Sequence, residues 1–207
     1  MRVVAGKYRG KNLVTPKDDS VRPTTTRIKE TLFNVLQGWV SGASVLDLFA
    51  GCGSLGIECI SRGAKDVTFV DRSKDSVSFV YQNLKGIDGE YRVVNADFAS
   101  VLRTSYVSGK KYDLIFLDPP YATMLGELAI DLIVELDLLS DDGIIVFEHG
   151  SEKTYRMKAA GFKQRTKKMG TITAEFISRK SVALMAGSFD PFTKGHESVL
   201  DEALAKY

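Results

Sequence analysis

The stretch SVLDLFAGCGSLGIE (Ser44–Glu58) decides how this chain folds. SVLDLFAG reads as a buried strand, closed near its end by an acid, Asp47. Gly51, Gly53 and Gly56 follow as G-x-G-x-x-G, and Ser54 to Ser61 suits a helix. A strand, a glycine turn and a helix in that order form one unit of an open α/β sheet, with room for a ligand beside the turn.

The same alternation continues on the C-terminal side. KDVTFVD (65–71) reads as a second strand and Ser73 to Lys85 as a second helix. YRVVNAD (91–97) is a third strand and DLIFLD (113–118) a fourth. Met124 to Leu139 is helical, and GIIVFEH (143–149) is a fifth strand. FKQRTKKMGTITAEFIS (162–178) has the pattern of a closing antiparallel pair. The expectation is an α/β, Rossmann-like, doubly wound and mostly parallel seven-stranded sheet with an antiparallel edge strand. Upstream, RVVAGKYRGKNLVTP (2–16) reads as two short strands with Gly10 near the turn. RPTTTRIKETLFNVLQGW (22–39) predicts a helix from about Thr24, with Ile28, Leu32, Val35, Leu36 and Trp39 at helical spacing. Three parts result: a basic hairpin-and-helix arm over 1–40, a sheet domain over 41–180, and a tail over 181–207.

Bulk composition narrows the function. Of 207 residues, 44% are hydrophobic, so the chain is globular rather than disordered. No apolar run approaches the roughly 20 residues of a membrane span, and MRVVAGKYRGK has no apolar signal region. The only cysteines, Cys52 and Cys59, have neither metal-site nor disulfide spacing, so no metal and a reducing cytoplasmic setting are expected. The net charge is +2 but unevenly spread: +5 over 1–40, −8 over 41–150, +7 over 151–180 and −2 beyond. Basic flanks around an acidic middle point to a polyanion gripped by the flanks.

G-x-G-x-x-G alone most often marks a nicotinamide dinucleotide site. Here three acids surround it: Asp47 before the glycines, Asp71 ending the second strand and Asp97 ending the third. An acid at the glycine turn is awkward for a pyrophosphate and suits a ligand with an α-amino group. S-adenosylmethionine carries that amine, a sulfonium, a ribose and an adenine, and no phosphate. Asp71 sits where a ribose hydroxyl would lie, and Asp97 could equally cap the next helix. Cys52 contributes backbone rather than a nucleophile.

The fourth strand runs into IFLDPPYAT (Ile115–Thr123), where two prolines stop the ladder and stiffen the corner. An amine conjugated to an aromatic ring is a poor nucleophile, because its lone pair is delocalised. A carboxylate and a rigid carbonyl can accept its hydrogens and aim that lone pair at a methyl group. Asp118 and the carbonyl of Pro119 suit these tasks, and Tyr121 offers a flat face for a flipped base. Asp118 could also take the proton, as could water.

DLFAGCGSLGIE, VDRS, NAD and LDPPY resemble the amino-methyltransferases that use S-adenosylmethionine. MRVVAGKYRGKNL and RPTTTRIKETLFNVL resemble one branch, the bacterial enzymes that methylate the N2 amine of a guanine in 16S small-subunit ribosomal RNA. The resemblance covers about residues 1–180. It implies that Asp47, Phe49, Ala50, Gly51, Gly53 and Leu55 line the methionine end of the cofactor. It puts Asp71 on the ribose with Arg72 or Ser73 beside it, and Ala96 and Asp97 at the adenine. Asp118, Pro119 and Tyr121 would hold the guanine. Arg22, Pro23 and Thr24 would approach the active site or RNA, and Arg2, Lys7, Arg9 and Lys11 would meet phosphates. Aspartate at position 71 replaces an expected glutamate but keeps the acceptor. The implied partner is the small ribosomal subunit or its RNA, with a monomer sufficient for the chemistry.

After Lys180 the character changes. GSFDPFTKGH (187–196) resembles the opening of phosphopantetheine adenylyltransferase, whose T-x-G-H appears as Thr193, Gly195 and His196. One strand–helix unit cannot bury both its faces, so no adenylyltransferase activity is expected. Other readings of the whole chain are an amino-methyltransferase acting on adenine or a protein glutamine, a non-catalytic RNA or nucleotide binder, and a nicotinamide dehydrogenase.

Overall fold

The computed structural model describes residues 1–16, 25–180 and 197–198. Arg22, Pro23, Thr24 and the T-x-G-H stretch lie outside the described residues. The elements run α1 (Thr25–Val35), α2 (Gln37–Val40), β1 (Ser44–Asp47), α3 (Ser54–Ser61), β2 (Asp66–Asp71), α4 (Lys74–Leu84) and β3 (Glu90–Asn95). They continue as α5 (Phe98–Val107), β4 (Tyr112–Leu117), α6 (Leu125–Glu135), β5 (Leu139–Gly150), β6 (Phe162–Met169) and β7 (Ile172–Arg179).

The seven strands form one sheet in the order β3-β2-β1-β4-β5-β7-β6. From β3 to β5 every pairing is parallel, and β7 pairs antiparallel with both β5 and β6. The expected closing pair is therefore present, with β7 the antiparallel strand and β6 outermost. Strand order reverses between β1 and β4, the place where open α/β sheets bind ligands beyond the carboxyl ends of their strands.

Alternation along the central strands feeds two apolar layers. Val45, Leu114 and Phe116 face one layer with Leu32, Phe33, Ile57 and Val80. Leu46, Ile115 and Leu117 face the other with Leu102, Ile130 and Ile133. Each such side chain contributes about 1.5–3 kcal/mol on leaving water. Val3 and Leu13 of the arm belong to the first layer, so the arm shares the core of the sheet domain.

Local differences from the sequence reading have physical causes. The two expected arm strands reduce to one antiparallel bridge, Arg2 with Asn12, flanked by Val3–Lys11 and Leu13–Met1 backbone bonds. The arm's tip instead spends its polar groups on α3: Lys7 and Tyr8 donate backbone N–H to the Ser61 carbonyl and hydroxyl, and the hydroxyl donates to Ala5 O. The helix expected to Leu139 ends at Glu135, because Asp137 turns left-handed (φ 51°) and the buried Leu138 and Leu139 lead into β5. The arm helix breaks at Leu36, which leaves Trp39 half-exposed with its indole N–H on Asp142 O.

Candidate active site

The glycine turn gets its shape from two acids, the buried Asp47 and the half-buried Asp71. Asp47, at the end of β1, accepts Gly56 N–H at 3.0 Å. Asp71, at the end of β2, accepts Gly51 N–H at 2.9 Å and Ser73 N–H at 2.8 Å. Gly53 sits at φ 80°, left-handed space that a side chain would strain, and α3 starts directly after it. A Cβ on Gly56 would lie 2.2 Å from a ring carbon of Phe69, so only glycine lets α3 approach β2 this closely. Asn83 of α4 ties the turn to the arm, donating to both Cys52 O and Val14 O at 2.9 Å. Burial pushes the Cys52 thiol up, which fits its reading as a backbone residue.

Beside this turn opens a cavity of about 860 Å³. Its volume lies toward the upper end of ligand pockets, which run about 300–1,000 Å³. Phe49, Ala50, Gly51 and Leu55 form the wall by the turn. Asp71, Arg72, Ser73 and Ser76 form a second wall, and Ala96, Asp97 and Phe98 a third. Asp118, Pro119, Pro120 and Tyr121 close the opposite side. Asp47 and Gly53 do not reach the cavity surface, and Asp47 acts from beneath as the support of the turn. Asp97 also caps α5, accepting from Ser100 N–H and O–H at 3.0 and 2.6 Å, which holds its carboxyl below the usual carboxylate range.

The proline corner is closed by Thr123, whose N–H and hydroxyl donate to Pro120 O at 3.0 and 2.6 Å. Lys153 reaches back from the loop after β5 to Thr123 O at 3.1 Å. The Asp118 side chain is open to the cavity, yet it lies among strand ends where surrounding protein displaces water. That desolvation pushes its carboxyl up to about 6. Burial, with help from Asp118 and Asp71 against the Gly56 N–H, pushes Asp47 up to about 7.

The basic arm divides. Met1, Thr15, Pro16, Ile28 and Lys29 border the cavity. The tip, with Lys7 and Arg9, packs at the C-terminal end of α3, about 12 Å along the helix from the glycine turn. There Lys7 pairs with Asp88 at 3.0 Å, and Lys11 donates to Lys85 O at 2.6 Å. Arg2 is exposed, its carbonyl holding Lys29. The structure thus brings most of the residues expected at the cofactor and the base to one cavity and leaves Lys7, Arg9 and Lys11 off it.

Sequence reading missed Phe98, Lys29 and Glu148 at the cavity wall. Phe98 faces Phe49 with ring centres 5.9 Å apart. Glu148 carried a usable signal: like Asp118, it follows directly on an apolar run, GIIVF (143–147). Among the described residues, no group of three or more His, Cys, Asp or Glu side chains could hold a metal ion. No helix among them is long and apolar enough to cross a membrane.

The family model described as "Conserved hypothetical protein 95" matches residues 1–178. "Ribosomal RNA small subunit methyltransferase D" of Haemophilus influenzae is 36% identical over 156 residues, covering 74% of this chain and 80% of that protein. A solved Escherichia coli structure described as methyltransferase yhhF aligns at 32% identity with a TM-score of 0.77, covering 87% of this chain and 98% of that one. A Streptococcus mutans protein described as an S-adenosylmethionine-dependent methyltransferase shares the fold at 18% identity and a TM-score of 0.59, covering 73% of this chain and 47% of that one.

Proposed function

From a chain that belongs to the family described as "Conserved hypothetical protein 95", we propose an S-adenosylmethionine-dependent methyltransferase that modifies the N2 amine of a guanine in 16S small-subunit ribosomal RNA. The observation that carries this reading is one cavity bordered by both the glycine turn and the Asp118–Tyr121 corner. The cofactor fits the residues present: carboxylates at the strand ends, the aromatic pair Phe49 and Phe98, and no lysine or arginine within Phe49–Ser54 to answer a phosphate. Asp71 keeps lone pairs for ribose hydroxyls, and Ala96 and Phe98 offer apolar faces to the adenine.

S-adenosylmethionine supplies an electrophilic methyl group on a sulfonium. Asp118 and the Pro119 carbonyl accept the two amine hydrogens and hold the nitrogen lone pair toward that methyl group. Tyr121 stacks on the flipped base. With its carboxyl near 6, Asp118 is ionised at neutral pH, so it can accept a hydrogen bond and then the proton released from nitrogen.

The test is mapping of the methylated nucleotide after incubation with unmodified small subunits. N2-methylguanine in wild type, abolished transfer in Asp118→Ala and unchanged cofactor affinity are expected. Methyl on adenine, or full activity in Asp118→Ala, refutes the reading. Residues 181–207 are proposed to take no part in methyl transfer.

A further inference from the structure

The Asp118 corner does not by itself distinguish guanine from adenine, since either base can present an amine to it. We propose that Glu148 makes the distinction: as a neutral carboxylic acid it accepts guanine N1–H through its carbonyl and donates its O–H to guanine O6. This rests on the guanine reading above.

Position comes first. Leu117 and Phe147 are register partners on β4 and β5, so Asp118 and Glu148 are the next residues of neighbouring strands, about 4.8 Å apart laterally. That spacing is comparable with the step along a purine edge from the amine to the neighbouring ring groups. Glu148 is only 6% exposed, and what is exposed borders the same cavity as Asp118, Pro119 and Tyr121. No described residue hydrogen-bonds its carboxyl.

Its surroundings favour the neutral form. From β4 it faces Asp118 and from β1 Asp47, both acidic. Its partner on β7 is Ala174. The neighbouring Glu175 is taken by His149, Gln164 and Thr166. Of the cations nearby, Lys29 is held by Glu58, Lys153 by Thr123 O, and Arg72 follows β2, three strands away. Burial, then the Asp118 and Asp47 charges, drive the Glu148 carboxyl well above its ordinary range.

A neutral acid has the hydrogen-bond pattern that matches guanine. With N2 at Asp118, the next groups along the edge are N1–H and O6, a donor and an acceptor side by side. A carboxylic acid meets them with C=O and O–H. Adenine with N6 at Asp118 offers N1 and C2–H there, so one bond is possible instead of two. A fully ionised Glu148 would set negative charge against O6.

Glutamine presents the same acceptor and donor as the neutral acid, which makes the test sharp. Glu148→Gln, Glu148→Leu and wild type are assayed on unmodified small subunits from pH 6 to pH 9, with product mapping, cofactor affinity and circular dichroism for each. Expected are N2-methylguanine at near wild-type kcat/KM in Glu148→Gln, and a loss of about 10- to 100-fold in Glu148→Leu with cofactor affinity unchanged. Wild type should lose activity toward alkaline pH while Glu148→Gln holds it. If Glu148→Gln is as impaired as Glu148→Leu, if Glu148→Leu is fully active, or if the pH profiles coincide, the inference is wrong while the guanine reading stands. Methyl found on adenine in wild type overturns both.

Discussion

Replacing Glu58 should loosen the arm and cost more stability than any exposed charge. Its carboxylate is fully buried at the base of α3 and accepts from four donors. These are Val4 N–H at 2.8 Å, Ala5 N–H at 3.0 Å, Lys29 Nζ at 3.1 Å and Arg62 Nε at 2.9 Å. Glu58→Gln keeps the shape but turns an amide N–H₂ toward two of those donors and leaves the buried Lys29 ammonium without its counter-ion. Removing one partner of a buried pair costs about 3–5 kcal/mol. At roughly 2–4 °C per kcal/mol for a domain of this size, the melting temperature should fall by about 10 °C. Lys29 already has its amine pushed down by burial, against the pull of Glu58. In Glu58→Gln that opposition is lost, so the penalty should shrink as pH rises and Lys29 sheds its proton. Lys29→Met/Glu58→Gln, which removes both charges, should melt above Glu58→Gln alone. Thermal melts by circular dichroism at pH 7 and pH 9.5 check this. A single variant within about 1 kcal/mol of wild type, or a double variant no better than the single, refutes the assigned hub.

Two further outcomes follow from other parts of the molecule. Asp47, with its carboxyl raised to about 7, contributes stability that is complete below about pH 4 and is lost as pH rises through 7, so the cofactor-free protein should melt lower at pH 8 than at pH 5. Asp47→Asn, which keeps the acceptor for Gly56 N–H, should flatten that slope without abolishing it, since Asp118 and Glu148 titrate in the same direction; an unchanged slope in the melts refutes the assignment. A chain ending at Lys180 should keep its fold and its methyl transfer, and loss of transfer with an intact circular dichroism spectrum would show that residues 181–207 take part.

The parallel sheet was legible because its central strands are apolar runs closed by an acid or a turn, and the helices between them keep an apolar period of their own. Asp71, Asp97 and Asp118 were legible as cavity residues by the same rule, since parallel strands deliver their last residues to one edge. What the pattern hid was contact between distant segments. Nothing in "IECIS" marks Glu58 as the anchor of residues 4 and 5, because its partners are backbone N–H groups of another segment. The basic tip was read by charge alone, and charge does not say that Gly6 to Arg9 fold back on the far end of α3. The overlong last helix of the reading has the same origin: Leu136, Leu138 and Leu139 are apolar whether they continue a helix or turn into β5.

Glu148 escaped notice for a related reason. Asp71 ends its strand, Asp118 runs straight into two prolines and Asp47 lies just before the glycine turn, so each marks a break, whereas β5 runs on through His149 and Gly150 without one. An acid inside a continuing strand looks like a core residue satisfied by a neighbour. Here the neighbours on β4 and β1 are acids, and the side chain meets a cavity rather than a cation. Three carboxyls on adjacent strands cannot all ionise in low dielectric without cost: desolvation raises Asp118 to about 6, burial raises Asp47 to about 7, and burial with the Asp118 and Asp47 charges drives Glu148 well above its ordinary range. That ordering suits the roles proposed above: Asp118, with its carboxyl near 6, is ionised at neutral pH and accepts the amine's hydrogens, while Glu148, driven upward by burial and two facing acids, is the acid proposed to donate to a base oxygen.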